Sequence, residues 1–373
     1  MYIEKLAYKN VGPLQDVRID FPFNNNGTPK PVILVGENGT GKSTILSNIV
    51  DSFYEMAQKH FMNATTPREN GGHNFFKTIL PNEIHSGKSY MYSVLLYNCV
   101  ETPNEESPIY ICKSGNVTID NIKEQTSTSI SSISGSKEGN EKVVKASSEQ
   151  VSSIWDKNVI CYFGPDRYEC PVWLGDSYYT YSDYLHPKVE GSFNGYLKNP
   201  ITVHDVTNLN LQWLLDVVAD SRGDIIGEAG ALSLAHISTE NLLLMRQARE
   251  NLEKILSIII GKDVYFHLNF RSLYGARFRI VQKENDNVIC PTLDSLSTGQ
   301  IALFNIFATI IHYADNNDIT KSIHLDEITG IVVIDEIELH LHSKLQKEVL
   351  PKLIAMFPKI QFIITSHSPL FLL

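Results

Sequence analysis

One run of the sequence has residue types and a spacing that suit the binding of phosphate. It reads Gly36-Glu37-Asn38-Gly39-Thr40-Gly41-Lys42-Ser43-Thr44 and matches the phosphate-binding (Walker A) pattern GxxxxGK[ST]. Glycines let backbone N–H groups turn around a β-phosphate, and a helix that starts behind the loop adds the positive end of its dipole. We expect Lys42 to neutralise β- and γ-phosphate oxygens and the Ser43 hydroxyl to bind Mg²⁺. The alternative is a chance glycine-rich turn.

A pair of carboxylates follows a short apolar run later in the chain. The run is Ile331-Val332-Val333-Ile334, and Asp335-Glu336 come directly after it in a Walker B arrangement. A buried strand would deliver both side chains to the carboxyl edge of a sheet, where ligands bind in such folds. We expect Asp335 to hold Mg²⁺, directly or through water, and Glu336 to orient and activate an attacking water. Alone the pattern is weak, because many buried strands end in Asp.

A third motif precedes an apolar helical run and reads Leu296-Ser297-Thr298-Gly299-Gln300. Ser is a good helix N-cap residue, and Gly299 would allow close approach of another backbone. The N-terminus of a helix is also an anion site. We therefore expect Ser297, Thr298, Gly299 and Gln300 to contribute to nucleotide binding. The other interpretation is that Ser297 only caps the helix.

Histidines stand near the second carboxylate motif and near the end of the sequence. The apolar run 362–364 leads to Thr365-Ser366-His367, which places His367 one helix and one strand after Glu336. We assign a catalytic role to His367, together with Lys42 and Glu336, although a lone His is more often structural. His340 and His342 lie between these motifs, and their spacing also permits a metal site.

These motifs must be positioned by strands and helices that the apolar pattern predicts. Residues 3–21 alternate as a hairpin interrupted at Gly12-Pro13. Further strands are predicted at 31–35, 90–99, 109–119, 159–163, 264–270, 276–281, 330–334 and 360–365, and helices at 43–60, 209–219, 239–260, 297–313 and 343–357. Strands that alternate with helices indicate an α/β protein. The predicted fold is a P-loop sheet with an N-terminal antiparallel β portion and a partly helical insertion.

The domain organisation follows from where the motifs lie. We predict an ATPase head of residues 1–164 and 242–373, with 165–241 as the partly helical insertion. Residues 126–148 are rich in Ser, Thr, Lys and Glu and contain no aromatic residue, which predicts a mobile loop. Residues 176–196 are rich in tyrosine and are either a docking surface or a packed structural lobe.

The composition is that of an ordinary globular protein. The 373 residues carry a formal net charge of −10, so the molecule will not coat nucleic acid by charge alone, although a local basic patch stays possible. The five cysteines form no CxxC pair, which is typical of reduced thiols. No secretion signal or membrane-spanning run is visible in the sequence. We expect a cytoplasmic protein that does not enter membranes.

The order of the four motifs, with the N-terminal hairpin, resembles the SMC-like branch of ABC ATPases. That branch includes the long-armed double-strand-break repair ATPases, RecF and the overcoming-lysogenization-defect (OLD) family. The phrases VILVGENGTGKSTIL, IDEIELHLH and TSHSPLFLL resemble the ATPases of Septu antiphage defence (PtuA), which also occur with some retrons.

The resemblance implies ATP and Mg²⁺ as ligands and a head-to-head dimer that encloses ATP. Residues 296–300 would be the signature LSGGQ, acting on the partner's γ-phosphate, with Thr298 where Gly is commoner. His367 would be the switch histidine, and residues 337–342 the D-loop, with Ser343 where many relatives have Pro.

Several departures from the family pattern stand out. No Q-loop glutamine is obvious, and Tyr162-Phe163-Gly164-Pro165-Asp166-Arg167 occupies its place. Arg167 serves either near phosphate or as a structural ion-pair residue. The segment 165–241 is too short for SMC coiled-coil arms. A sheet of this kind usually continues past His367, so we expect the sequence to be a piece of a longer chain. As given, it leaves no room for an OLD-type nuclease domain.

Three functions remain open at this point. The first is an ATP-driven sensor or switch in antiphage defence that controls a separate effector nuclease, of the HNH type. The second is a RecF-type DNA repair or chromosome-maintenance ATPase that acts directly on DNA. The third, a transporter's nucleotide-binding domain, fits the N-terminal hairpin and the segment 165–241 poorly.

Overall fold

The computed structural model describes the greater part of the chain. The described residues are 1–64, 83–103, 105–118, 120–122, 141–167, 194–204, 206–221, 225–226, 233–234, 239–268, 278–291, 293–318 and 324–372.

The described strands, in chain order, are β1 (Tyr2–Val11), β2 (Leu14–Asp20), β3 (Val32–Val35), β4 (Tyr90–Asn98), β5 (Ile109–Gly115), β6 (Glu141–Lys145), β7 (Val159–Phe163), β8 (Thr202–Val203), β9 (Ile225–Ile226), β10 (Ser233–Leu234), β11 (Val264–Leu268), β12 (Phe278–Gln282), β13 (Val288–Cys290), β14 (Gly330–Ile334) and β15 (Ile360–Ser366). The described helices are α1 (Lys42–Ala57), α2 (Ser148–Lys157), α3 (Val206–Asp220), α4 (Thr239–Ile260), α5 (Thr298–Asn317) and α6 (Leu350–Ala355), with a π-helical turn at Leu345–Val349 and 3-10 turns at Met62–Ala64, Leu293–Ser295 and Pro369–Leu372.

A parallel sheet of five strands carries the predicted motifs. Its order is β3-β15-β14-β7-β8, so the strand that leads to His367 lies between the strand of the phosphate loop and the strand of Asp335. Every residue of β7, β14 and β15 is buried, which explains their unbroken apolar sequences. Successive side chains of a strand point to opposite faces of the sheet, and each face has its own hydrophobic core. In β14, Ile331 and Val333 lie in the core on one face, and Val332 and Ile334 lie in the core on the other face. The predicted α/β class is confirmed.

An antiparallel sheet of five strands covers one side of the head in the order β2-β1-β4-β5-β6. The predicted hairpin of β1 and β2 is confirmed, with Val11 paired to Leu14 across the turn. Together with α1 this sheet contributes to the core that Ile331 and Val333 enter. The hairpin also packs against the phosphate loop.

The segment 126–148 is not a loop throughout, which corrects the prediction for its last part. Residues 126–140 lie outside the described residues, but β6 pairs with β5 along its whole length. Charge holds this edge strand in place: Lys113 pairs with Glu141 at 3.0 Å, and Lys142 pairs with Asp51 of α1 at 2.8 Å. A composition-based prediction overlooks such a strand, because its stability comes from these tertiary contacts.

The segment 165–241 is also less separate than predicted. Its strand β8 extends the parallel sheet beside β7. Its helix α3 places Trp213, Leu214 and Val218 in the core that α5 also enters. Asn210 of α3 donates a hydrogen bond to Thr309 of α5 at 3.0 Å. The described part of this segment therefore belongs to the head, while 168–193, including most of the tyrosine-rich run, lies outside the described residues.

The helix predicted at 343–357 is present at 343–355 and contains a π-helical turn. The π-helical turn Leu345–Val349 comes first and α6 follows, with Pro351 in its first turn. Proline lacks the N–H that would bond the carbonyl four residues earlier, so the regular α-helical hydrogen bonding is interrupted near Pro351 although the helix continues. Among the described residues, no helix is long and apolar enough to cross a membrane.

Candidate nucleotide site

The phosphate loop joins β3 to α1 and depends on glycines for its shape. Gly39 (φ 79°) and Gly41 (φ 94°) have left-handed backbones, a region that glycine enters without strain. Gly41 is the N-cap of α1, and a Cβ added there would lie 2.6 Å from Leu14 Cδ2 of the hairpin. The hairpin therefore packs directly against the loop, and only glycine fits at position 41.

Lys42 begins α1 and is largely buried within the loop. Its Nζ donates hydrogen bonds to the backbone oxygens of Gly36 at 2.7 Å and Glu37 at 2.8 Å. Thr40 Oγ1 also donates to Glu37 O, at 2.9 Å. The loop is thus held around the ammonium group, while Ser43 at the start of the helix is exposed.

Asp335 and Glu336 follow β14 at the carboxyl edge of the sheet, and Thr365 of β15 orients both. Thr365 Oγ1 donates a hydrogen bond to Asp335 Oδ1. The same oxygen accepts from Glu336 N at 2.9 Å. Glu336 has a φ of 49°, a left-handed backbone that costs a non-glycine residue about 1–3 kcal/mol and that is concentrated at functional sites.

His367 lies between the phosphate loop and the second carboxylate. Its Nδ1 is 3.0 Å from Gly36 O and 3.3 Å from Lys42 Nζ, and its Nε2 is 3.4 Å from Glu336 Oε1. The backbone N–H of His367 donates to Glu338 Oε1 at 2.5 Å. The structure therefore brings together Lys42, Glu336 and His367, the three residues that the sequence assigned to catalysis.

Arg167 follows β7, and its described hydrogen bonds go to backbone oxygens. Its guanidinium donates to backbone oxygens: Nη1 to Gly164 at 2.8 Å and to Asp335, and Nη2 to Glu336 at 2.8 Å. Burial lowers the pKa of Arg167, and the carboxylates of Asp335, Glu338 and Glu336 act against that shift. Its contacts are with the backbone that carries the two carboxylates.

Residues 297–300 form the start of α5, with a capping box. Ser297 Oγ accepts from Gln300 N at 3.4 Å, and Gln300 Oε1 accepts from Ser297 N at 3.0 Å. Ser297 and Thr298 are exposed. Within the described ranges, no hydrogen bond joins residues 297–300 to the phosphate loop. The structure does not bring these two predicted parts of the nucleotide site together in one chain.

Gly299 lies where the turn at 297–300 packs against a distant part of the chain. A Cβ at Gly299 would lie 2.5 Å from His340 O and 3.0 Å from Leu345 Cδ1. The residue therefore has to be small so that α5 can approach the turn 336–340, which begins at Glu336. His340 itself has a positive φ of 64°.

The oxygen atoms at the edge of the sheet suit a hard divalent cation. Asp335 offers a buried carboxylate whose Oδ1 is fixed by Thr365, and Ser43 offers an exposed hydroxyl. Carboxylate and hydroxyl oxygens are ligands that Mg²⁺ accepts together with water and phosphate. For His340 and His342, the described part of the chain contains no group of three or more His, Cys, Asp or Glu side chains that could hold a metal ion.

Two family models match the chain. Residues 221–373 match "AAA domain, putative AbiEii toxin, Type IV TA system", and residues 5–169 match "AAA domain". The first match contains the carboxylates and His367, and the second contains the phosphate loop.

Curated relatives have similar sequences. A "Retron Ec83 probable ATPase" of Escherichia coli is 23% identical, and the match covers 98% of this chain and 68% of the relative. A "Retron Vc95 probable ATPase" of Vibrio cholerae is 25% identical over 91% of this chain and 66% of the relative. The Septu protein PtuA of Bacillus mycoides is 56% identical over 41 residues, 11% of this chain and 6% of PtuA. The chain is an ATPase. Its predicted resemblance to the ATPases of retron and Septu defence is confirmed, and it spans about two thirds of the length of the retron relatives.

An SMC head bound to the C-winged helix domain of ScpA is also similar in structure. The TM-score is 0.45 at 14% sequence identity, and the match covers 99% of this chain and 91% of that head. At this score the overall superposition is loose.

Sequence reasoning missed some residues of this candidate site. Thr365 stands two residues before His367 and looked like the end of an apolar strand. Glu338 was placed only in the D-loop, yet its Oε1 accepts from His367 N, and its Oε2 is buried without a hydrogen-bond partner among the described residues. A polar residue at the end of a buried strand was the available signal for Thr365.

Proposed function

We propose that this ATPase binds ATP with Mg²⁺ at the edge of the parallel sheet and hydrolyses it with Glu336 as the base. The observation that carries the proposal is the short distance of His367 from both Lys42 and Glu336 in one chain. Phosphate charge and an activating carboxylate are the two requirements of phosphoryl transfer to water.

The residues around the phosphate loop have distinct parts in this reaction. Lys42 exchanges its bonds with the carbonyls of Gly36 and Glu37 for bonds with β- and γ-phosphate oxygens. The remaining residues of the loop, 36–41 and 43–44, surround the phosphates with backbone N–H groups. Asp335 and Ser43 hold Mg²⁺, which supplies positive charge against the phosphates when it is bound.

Glu336 and His367 act at the γ-phosphate. Glu336 accepts a hydrogen bond from the attacking water and takes its proton as the new bond to the γ-phosphorus forms. The bond from the γ-phosphorus to the β,γ-bridging oxygen breaks in the same step, and ADP leaves. His367 lies beside Glu336 and contacts the γ-phosphate from the same side. Thr365 supports this arrangement, because its hydroxyl is bonded both to the carboxylate of Asp335 and to the backbone N–H of Glu336.

The complete site requires a second copy of the chain. Ser297, Thr298, Gly299 and Gln300 lie at a helix N-terminus whose first two residues are exposed and which forms no hydrogen bond with its own phosphate loop within the described residues. A helix N-terminus attracts anions. In a head-to-head dimer, each of these turns would close the γ-phosphate side of the partner's site, so that two ATP molecules are enclosed at once.

The output of ATP-driven closure is the control of a separate effector nuclease, of the HNH type, in antiphage defence. The support is the similarity to ATPases named for retrons and Septu. In addition, the described residues contain no group of three or more His, Cys, Asp or Glu side chains that could hold a nuclease metal ion. The RecF-type alternative, direct action on DNA, differs in that DNA would stimulate the ATPase without any partner.

Hydrolysis is tested with Glu336→Gln. This variant should bind ATP as the wild type does and turn it over at least about 10²-fold more slowly, because only the base is removed. Glu348→Gln is the matched control, since Glu348 is an exposed glutamate of the π-helical turn. Nucleotide binding and phosphate release are measured for both. Normal turnover by Glu336→Gln would remove Glu336 from the role of base.

The output is tested with the full-length protein, alone and together with an HNH nuclease if the gene next to its own encodes one. Cleavage of DNA and RNA is assayed with ATP, without ATP and with Glu336→Gln. We expect cleavage only with the nuclease present, at a rate that depends on the nucleotide. Robust cleavage by the ATPase alone, or stimulation of its ATPase by DNA without the partner, contradicts the switch and supports the alternative.

A further inference from the structure

The guanidinium of Arg167 is bound to the backbone on which both carboxylates stand. It bonds three backbone oxygens: Gly164 on its own segment, and Asp335 and Glu336 on the segment after β14. The two segments are also joined as sheet neighbours, because Asp335 N donates to Phe163 O at 2.9 Å. Arg167 thus extends the pairing of β7 and β14 beyond the point where the strands end.

The backbone that Arg167 holds is unusual at one residue. Glu336 has a φ of 49°, and its carbonyl oxygen accepts from both Arg167 Nη2 at 2.8 Å and Leu339 N at 3.1 Å. A left-handed residue other than glycine persists only where its surroundings hold it. Here the donors on the carbonyl side and the Thr365 hydroxyl on the N–H side fix the peptide groups at both ends of Glu336.

We propose that Arg167 is a positioning residue for hydrolysis, which holds Glu336 in the orientation that activates water. The inference rests on the proposed role of Glu336 as the base. The planar guanidinium has five N–H donors in a fixed fork, so it can bond oxygens of two separate segments at once. A lysine ammonium has the charge but not this geometry.

A positioning role and a phosphate contact predict different kinetics for variants of Arg167. A cation on phosphate strengthens ATP binding, so its loss weakens affinity. A residue that only holds Glu336 leaves ATP affinity and KM unchanged and lowers kcat, because the misplaced base is felt only when water attacks. A misplacement of about 1 Å can cost about 10²-fold in rate.

The variants for the test are Arg167→Ala and Arg167→Lys in the full chain. For both we expect a kcat about 10- to 100-fold below the wild type, with ATP affinity and KM unchanged. Arg246→Ala is the matched control, because Arg246 is an exposed arginine of α4 whose described ion pair is with Glu250, four residues away. It should keep the wild-type kcat.

Chemical rescue separates positioning from a loss of structure. Ethylguanidinium added to Arg167→Ala fills the vacated space with the same donors and should restore kcat, whereas ethylammonium supplies only charge and should not. If Arg167→Ala does not fold, Arg167→Lys provides the test, because a lowered kcat with an unchanged KM supports the positioning role.

The outcomes that overturn the inference are distinct from those that overturn the proposed function. A loss of ATP affinity in Arg167→Ala, or full activity in Arg167→Lys, assigns Arg167 to charge on the phosphates. A folded Arg167→Ala with normal kcat, or with no response to ethylguanidinium, refutes the positioning role. Failure of the proposed function appears elsewhere, as absent turnover in the wild type or normal turnover in Glu336→Gln.

Discussion

The two regions assigned to nucleotide binding are built in different ways. Around the phosphate loop, contacts cross between distant parts of one chain: Lys42 and Gly36 meet His367, and His367 meets Glu336. At the start of α5, the hydrogen bonds of Ser297 and Gln300 close on each other within one turn. One region is assembled by hydrogen bonds between distant parts of the chain. In the other the hydrogen bonds are local, although Gly299 packs against the turn 336–340.

This difference indicates where each region acts. A base must be held against its own phosphate loop, and only long-range contacts can do this. A turn that completes its own hydrogen bonds is rigid without a ligand, so it can meet a nucleotide held by another molecule at little entropic cost. We expect a variant of the first region to inactivate the nucleotide site of its own chain. A variant of the second region should instead inactivate the nucleotide site of the partner chain.

The largest effect is expected for Lys42→Ala in the first region. Loss of a charged donor to phosphate should weaken ATP binding about 10- to 100-fold and lower turnover by a further factor of about 10² or more. Binding of a fluorescent nucleotide and phosphate release are the measurements. Lys347→Ala, at an exposed lysine of the π-helical turn, serves as the control. Unchanged affinity in Lys42→Ala would remove Lys42 from the phosphate site.

A smaller effect is expected for Thr365→Val, which keeps the shape of the side chain but removes its hydroxyl. Asp335 and the N–H of Glu336 each lose a partner, so kcat should fall about 10-fold, with ATP still bound. Thr365→Ser keeps the hydroxyl and should stay near the wild type. Equal rates for the Val and Ser variants would show that β15 positions the carboxylates without this contact.

The smallest effect on folding is expected for Ser297→Ala in the second region. Removal of a helix N-cap costs about 1 kcal/mol of the free energy of unfolding. Chemical denaturation measures this loss, and Ser297→Gly should lose only a few tenths of a kcal/mol. A large loss of stability would mean that Ser297 has a structural role beyond the cap. A loss of activity in Ser297 variants would then reflect unfolding and not a defect in the nucleotide site.

The sequence was most informative where a motif and a buried strand coincide. The loop 36–44, the pair Asp335-Glu336 and the cap at Ser297 were all predicted, because glycine spacing, strand-end carboxylates and capping residues act over a few neighbouring positions. His367 was placed by its order after Glu336. The parallel sheet then brought Lys42, Glu336 and His367 together without any change to those predictions.

Sequence reasoning failed where a long-range contact decides the structure. Strand β8 has two residues and exists because β7 offers it a neighbouring backbone. Arg167 bonds carbonyl oxygens whose positions no local pattern reveals. The π-helical turn before α6 does have a local signal, because Pro351 was visible in the sequence and lacks an N–H for regular α-helical hydrogen bonding.

The central claim, that residues 297–300 act in the partner's site, is tested most directly by mixing inactive variants. Ser297→Arg is mixed in equal amounts with Lys42→Ala, and phosphate release is measured. Half of the dimers then contain one site with an intact phosphate loop and an intact opposing turn, so about a quarter of the wild-type activity should return. The control mixture of Lys42→Ala with Glu336→Gln should stay inactive, because those two residues serve the same site from the same chain. Activity in the first mixture alone is the predicted result, and equal inactivity of both mixtures would contradict the account.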